Sequence, residues 1–171
     1  MNPSVKVAIA QLSSVFLNID KSVAKACEAI EEAGKQGADL IVFPEAFLSA
    51  YPDWVWLIPN SQGAELGELY LELVKNAVSI PDPSTNLLCT AAKKAAINVI
   101  IGLNELNAES SQSSLFNSLL FISSEGQILG KHRKLVPTGG ERLVWAQGDG
   151  KNLRSYQTAA GRIAGLICWE N

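Results

Sequence analysis

The first part of the chain alternates between short apolar runs and a segment with helical periodicity. Residues 5–10 and 38–43 are runs rich in aliphatic and β-branched side chains, and they predict buried strands. Between them, apolar residues recur every three or four positions after Asp20, which predicts an amphipathic helix with Asp20 as its N-cap. Two glycines end this helix before the second strand. The pattern therefore predicts a strand–helix–strand unit.

The remainder of the chain predicts two more helices and then several strands in series. Residues 48–65 are rich in proline, glycine and aromatic residues and predict a long irregular segment. A helix is predicted over 66–78, and a second helix runs from a proline-containing cap at 81–84 to about Ala96. Further strands are predicted at 98–103, 115–123, 128–130, 153–158 and 163–167, with a loop at 135–150. This order of elements favours one α/β domain built as layers around a mixed sheet.

Composition and charge narrow the class of protein. The 171 residues are 47% hydrophobic and 18% charged, which is typical of a globular domain with a sizeable core. A net charge of -3 offers no basic face to nucleic acid, and no apolar run reaches the roughly 18 residues that a membrane span requires. Cys27, Cys89 and Cys168 are too widely spaced for a disulfide framework, so we expect a cytoplasmic protein. No metal-ligand spacing is present, so we expect no cofactor.

Three reactive side chains follow predicted strands. Glu45, Lys134 and Cys168 each lie at or shortly after the end of an apolar run. Because sites in open α/β sheets form beyond the ends of strands, we expect these side chains to meet. A thiol can then act as nucleophile, a carboxylate as base and an ammonium group as the partner of developing negative charge.

Each of these residues also has a simpler interpretation. Cys168 could be an inert core thiol, and Glu45 could be a carboxylate placed at a helix N-terminus. Lys134 could belong to a solvated basic cluster. The chain also permits a Cys–His peptidase that pairs Cys168 with His132, the only histidine.

Three motifs favour a more specific interpretation. The segments FPEAF at 43–47, KHRKL at 131–135 and CWEN at 168–171 resemble, in the same order, the signatures of the nitrilase superfamily. The segment at 134–142 resembles the nitrilase branch more than its amidase relatives. The resemblance implies a nitrilase-like α-β-β-α layered sandwich with mixed sheets. It also implies Glu45 as general base, Lys134 as the charge-stabilising residue and Cys168 as nucleophile.

The resemblance further implies a reaction and additional contacts. It implies hydrolysis of a non-peptide carbon–nitrogen bond, converting a nitrile to a carboxylic acid and ammonia through a thioimidate and an acyl-enzyme. Glu141 matches the family's additional active-site glutamate, and the backbone N–H of Trp169 is a candidate donor to the nitrogen of the small-molecule nitrile. Tyr51 belongs to an aromatic cluster in the predicted irregular segment, which could line a substrate pocket or could pack within the loop or against another subunit. The family's habit also implies a homo-oligomer.

The position of the last residue qualifies these expectations. The resemblance implies that the family's domain continues beyond Asn171, so we expect residues 1–171 to form a single domain whose C-terminal half is missing. Apolar faces intended for that half would then meet solvent. Two alternatives to a nitrilase follow: an amidase or carbamoylase of the same superfamily, and an inactive fragment that keeps only part of the fold.

Overall fold

The computed structural model describes residues 4–109, 111 and 113–171. Seven strands and four α-helices lie in this part of the chain. The strands are β1 (Val7–Ile9), β2 (Leu40–Val42), β3 (Asn98–Leu106), β4 (Leu115–Ile122), β5 (Ile128–Arg133), β6 (Tyr156–Thr158) and β7 (Gly161–Ile163). The helices are α1 (Ile19–Lys35), α2 (Trp54–Leu57), α3 (Gly63–Lys75) and α4 (Pro83–Ala95). Among the described residues, no helix is both long and apolar enough to cross a membrane.

Five strands form one mixed sheet in the order β1-β2-β3-β4-β5. β1, β2 and β3 are parallel, while β4 is antiparallel to both β3 and β5. β5 therefore points in the same direction as β2, and their carboxyl ends reach the same edge of the sheet. The predicted mixed-sheet α/β architecture is confirmed.

Helices α1 and α4 cover one face of this sheet. The face buries apolar side chains such as Ile30, Leu88 and Ile101 in a continuous core. The Asp82 side chain accepts a hydrogen bond from the Thr85 amide and caps α4, as the proline-containing cap predicted.

The opposite face lies against the β6–β7 hairpin, which forms a separate two-stranded sheet. Leu40, Ile100 and Phe121 of the large sheet pack there against Tyr156 and Ile167. The chain thus begins a second β layer on this face, and the space between the two layers is where polar groups from both can meet.

The boundaries of two helical regions differ from the prediction. Asn18, rather than Asp20, caps α1, because the Asn18 side chain accepts a hydrogen bond from the Lys21 amide at 3.0 Å. The segment predicted to be irregular at 48–65 contains α2 and the start of α3, which ends at Lys75 rather than continuing to residue 78. Trp54 and Val55 of α2 are buried against Trp145, so tertiary packing favours a helix that the local composition does not indicate.

Two strand predictions are also corrected. β1 was predicted to be buried, but it is an edge strand and Ile9 is 82% exposed, because no described element covers Ile9 on its face of the sheet. The predicted strand at 163–167 ends at Ile163. Residues 164–167 would have to pair with the residues before Tyr156, and these lie outside any strand, so the ladder cannot continue.

Candidate active site

Glu45 follows β2 on a sharply turned backbone. The next residue, Ala46, has a φ of 50°, in the left-handed region that non-glycine residues seldom adopt. The turn lies directly on β3 at Gly102, where an added Cβ would stand 2.8 Å from the Glu45 Cα and 2.6 Å from the Ala46 nitrogen. Glycine at position 102 therefore permits the close approach of the two backbones. No helix begins at Glu45, so the helix N-terminus interpretation is wrong.

Lys134 follows β5 and turns inward. Its amide donates to the Asn117 carbonyl at 2.8 Å, which extends the pairing with β4 by one residue. Its side chain is only 1% exposed, so the solvated-cluster interpretation is wrong. The Lys134 Nζ lies 3.0 Å from Glu45 Oε1 and 2.8 Å from Glu141 Oε2. The shared direction of β2 and β5 thus brings Glu45 and Lys134 together, as expected from their positions after strands.

The ammonium group of Lys134 is held in its charged form. Burial works against this charge, but the hydrogen bonds and charges of Glu141 and Glu45 outweigh it, and the pKa of Lys134 lies above its usual value. Lys134 therefore provides a fixed positive charge at neutral pH rather than a group that exchanges protons.

The two glutamates beside Lys134 differ in how completely they are bonded. Both Glu141 oxygens accept hydrogen bonds from the protein: Oε1 from the Tyr51 hydroxyl at 2.7 Å and Oε2 from the Thr138 amide at 2.6 Å, in addition to Lys134. Glu45 is bonded only through Oε1, to Lys134 and to the Asn117 amide group at 2.6 Å. Its Oε2 has no hydrogen-bond partner among the described residues, and its side chain is 27% exposed. Glu45 thus has an oxygen available for chemistry.

The aromatic cluster after Glu45 supports Glu141. Tyr51 packs edge-on against Trp145 and donates its hydroxyl proton to Glu141. Burial, together with this bond to a carboxylate, raises the pKa of Tyr51 well above its usual value, so the hydroxyl remains a donor. Trp56 donates to the Tyr51 oxygen at 3.3 Å and lies over the glycine pair that precedes Glu141. Tyr51 and Glu141 are therefore brought together, as parts of one bonded cluster.

Cys168 approaches the cluster from the second layer. It begins a short 3-10 turn, Cys168–Glu170, with a φ of 57°. Cys168 is exposed, which excludes the inert-core interpretation. It lines a cavity of about 500 Å³ together with Glu45, Leu119 and Ile167. The nucleophile and the base predicted from the sequence thus border the same space between the layers.

The other two cysteines have different surroundings. Cys27 on α1 and Cys89 on α4 are partly buried against the core. Burial is the main reason that the pKa of each of these thiols is raised. Within the described ranges, no group of three or more His, Cys, Asp or Glu residues has a geometry that could hold a metal ion.

Trp169 lies beside Cys168, but its ring points away from the core. It is 83% exposed and borders a second cavity of about 450 Å³, which Lys134 and Leu166 also line. This position leaves its assignment to substrate binding a prediction.

Sequence reasoning missed two polar residues of this region. Asn117, which bonds Glu45, could have been suspected because it interrupts the apolar run of β4. Glu170 belongs to the CWEN motif, but the motif does not indicate its partner: the Glu170 carboxylate lies 2.8 Å from His132 Nε2. His132 is therefore engaged by Glu170, whereas the peptidase interpretation required it for Cys168.

Comparisons with known proteins show the family of this chain. Residues 6–171 match the carbon–nitrogen hydrolase family. The chain is 44% identical over 167 residues to "Nitrilase 2" of an unknown prokaryotic organism, covering 98% of this chain and 52% of that protein. It is 36% identical over 169 residues to the nitrilase of Bacillus sp. strain OxB-1, covering 99% of this chain and 48% of that protein. The chain belongs to the carbon–nitrogen hydrolase family. It spans about half the length of these relatives.

Solved structures show the same fold. Nit3 of Saccharomyces cerevisiae, a member of branch 10 of the nitrilase superfamily, superposes with a TM-score of 0.74 at 23% identity, covering 97% of this chain and 56% of that one. An amidase from Nesterenkonia sp. superposes with a TM-score of 0.69 at 16% identity, covering 97% of this chain and 56% of that one. The nitrilase-type α/β fold implied by the motifs is confirmed.

Proposed function

We propose that this chain carries the catalytic groups of a nitrilase, which converts a nitrile to a carboxylic acid and ammonia. One observation carries the proposal: a buried Lys134 ammonium is bonded to both Glu45 and Glu141, while Glu45 and Cys168 line one cavity. A nitrile carbon is a weak electrophile, so its attack requires a thiolate and a positive charge near the nitrogen. The similarity to proteins named nitrilase supports nitriles over other substrates.

The first half of the reaction forms a covalent intermediate. Cys168 Sγ attacks the nitrile carbon, and the thiol proton passes to the free oxygen of Glu45 and then to the nitrile nitrogen. The product is a thioimidate. The fixed charge of Lys134 stabilises the negative charge that develops on the nitrogen.

The second half consumes two water molecules. Glu45 takes a proton from the first water, which adds to the thioimidate carbon, and passes this proton to the nitrogen. The hydroxyl proton of the tetrahedral intermediate then moves through Glu45 to the nitrogen, and the carbon–nitrogen bond breaks to release ammonia and leave a thioester. A second water attacks the thioester, releases the carboxylic acid and restores the thiol. In this scheme Glu141 holds Lys134 in place, since both of its oxygens are already occupied by protein donors.

Exposed side chains support a location and an assembly state for the protein. The exposed thiol of Cys168 would be oxidised most readily outside a reducing compartment, which supports a cytoplasmic location. Exposed apolar side chains, including Ile9 and Leu57, support self-association into a homo-oligomer.

The test is ammonia release from matched nitriles and amides, combined with intact-mass detection of an adduct. We expect nitrile turnover and an adduct from the wild-type chain and from Cys89→Ala, and neither from Cys168→Ala. Turnover of amides alone would establish the amidase alternative. An adduct that persists in Cys168→Ala, or a folded wild-type chain without adduct or turnover, would contradict the proposal.

A further inference from the structure

The proposed site is divided between two layers that the backbone does not join closely. Glu45 and Lys134 follow strands of the five-stranded sheet, whereas Cys168 follows the β6–β7 hairpin. The strand ladder has already ended at Ile163, and Cys168 has a left-handed φ that only surrounding contacts can maintain. Some contact must therefore fix the turn that carries Cys168 against the end of β5.

A single carboxylate makes that connection. Glu170 Oε2 accepts a hydrogen bond from the Ile167 amide at 2.7 Å, and Glu170 Oε1 accepts one from the Leu135 amide at 2.7 Å. Ile167 precedes Cys168, and Leu135 follows Lys134. Glu170 thus links the immediate neighbours of the nucleophile and of the ammonium group.

His132 completes the arrangement from within β5. Its Nε2 lies 2.8 Å from Glu170 Oε2, and both side chains are buried. Burial opposes the negative charge of Glu170, but the two amides and His132 outweigh burial, and the pKa of Glu170 lies below its usual value. Hydrogen bonds to an ionised carboxylate are shorter and stronger than neutral ones, so this link is a rigid one.

We propose that Glu170 is a positioning residue, which holds the Cys168 thiol in register with Lys134 and Glu45, and that His132 is its partner rather than a member of the reacting set. This inference rests on the proposed function. It accounts for two motif residues, His132 and Glu170, that take no part in the chemistry proposed above.

The substitution Glu170→Gln removes the charge and one acceptor oxygen of the side chain while keeping its size. Gln has one acceptor oxygen, and its amide group would face a backbone N–H donor, so at least one of the bonds to Ile167 and Leu135 is lost. We expect kcat to fall by about 10- to 100-fold, because a misplacement of about 1 Å at a reacting group has an effect of this size. KM should change by less than about twofold, because Glu170 holds the nucleophile and does not bind substrate.

The matched control is Glu105→Gln. Glu105 is also buried and also bonds β5, through Lys131 and Arg133, but it does not contact the turn that carries Cys168. We expect Glu105→Gln to lower thermal stability and to leave kcat of the folded protein unchanged. If Glu170→Gln does not fold, Glu170→Asp keeps the charge, withdraws the carboxylate by one methylene and serves in the same comparison.

Two further readouts do not depend on turnover. Hydrogen exchange of the Ile167 and Leu135 amides should accelerate in Glu170→Gln and remain unchanged in Glu105→Gln. Alkylation of Cys168 by chloroacetonitrile should slow by about tenfold in Glu170→Gln. The thiol is already exposed, so a looser turn does not make it more accessible, but it moves the thiol away from Lys134 and Glu45.

The results of these experiments distinguish a failure of the positioning role from a failure of the proposed function. Unaltered exchange at both amides, or accelerated exchange with unaltered kcat and alkylation, would overturn the positioning role. A wild-type chain that turns over neither nitriles nor amides would contradict the proposed function, but the alkylation rates would still decide whether Glu170 positions Cys168.

Discussion

At the scale of single residues, the bonding of a side chain distinguishes Glu45 from Glu141 more clearly than its chemical type. Both are carboxylates within 3.1 Å of the same ammonium group. Glu141 is saturated with donors and is suited to hold Lys134, whereas Glu45 keeps an unbonded oxygen at the cavity. The motifs predicted that both belong to the site. They could not predict this difference, because it depends on Tyr51 and Thr138, whose contacts are set by the fold.

Asn117 provides a test at this scale. It is buried, donates to Glu45 at 2.6 Å and has a side-chain oxygen without a described partner. Asn117→Ala should lower kcat by about 10- to 100-fold, since a hydrogen bond to a charged group contributes about 1.5–3 kcal/mol and about 1.4 kcal/mol corresponds to tenfold in rate. The control is Ser118→Ala, which removes a bond to Glu105 on the other face of β4. Steady-state kinetics that give equal kcat values for Asn117→Ala and wild type would refute this role.

At the scale of elements, the sequence predicted the strands of the large sheet well and the second layer poorly. β2 and β4 are apolar runs whose composition predicts their burial, so Glu45 could be placed after the end of β2. Lys134 could be placed shortly after the strand predicted at 128–130, which is the first part of β5. Residues 163–167 are equally apolar, but only the first of them lies in a strand because no partner strand extends alongside the rest. Strand pairing depends on residues distant in sequence, and local pattern cannot supply it.

A substitution at Gly102 tests how closely β3 and the turn that carries Glu45 must approach each other. A Cβ at this position would overlap the Pro44 carbonyl and the Glu45 backbone. Gly102→Ala should therefore destabilise the protein by about 1–3 kcal/mol, as overpacking does, and should lower kcat because the turn that carries Glu45 must shift. Gly67→Ala is the control: Gly67 is an exposed residue of α3 with open space around it, and alanine there should add up to about 1 kcal/mol of stability. Chemical denaturation and kinetics of both variants measure these effects, and a fully active, stable Gly102→Ala protein would contradict the argument.

At the scale of the whole molecule, buried carboxylates tie the sheet together through charge. Burial works against the ionised form of Glu105, but Arg133, Lys131 and Ser118 bond it, and its pKa lies below the usual value. Glu105 reaches from β3 across β4 to β5, which is the strand that precedes Lys134. The stability of the sheet thus depends on charged contacts that involve none of the side chains proposed for the site.

This dependence predicts acid sensitivity. A carboxyl group whose folded pKa is depressed stabilises the protein above its unfolded pKa of about 4.3, and this contribution is lost as pH falls through the folded pKa. At pH 7, Glu105→Gln should reduce the free energy of unfolding by about 3 kcal/mol, since it leaves buried cations without their partner. The difference from wild type should shrink as pH falls below about 4. Urea denaturation across pH measures it, and a difference that stays constant with pH would show that Glu105 does not act through its charge.

The separation of the site between two layers also bears on the order in which a newly made chain becomes reactive. Synthesis delivers residues from the N-terminus, and domains begin to form as their segments emerge. All five described strands of the large sheet are available once β5 has emerged, so Glu45 and Lys134 can pair while Cys168 is still inside the ribosome. The thiol is then the last of the three to arrive, and it is set in place by the carboxylate of Glu170, which follows it by two residues. A nascent chain would therefore not bring its Cys168 thiol to this cavity until Glu45 and Lys134 are already in place.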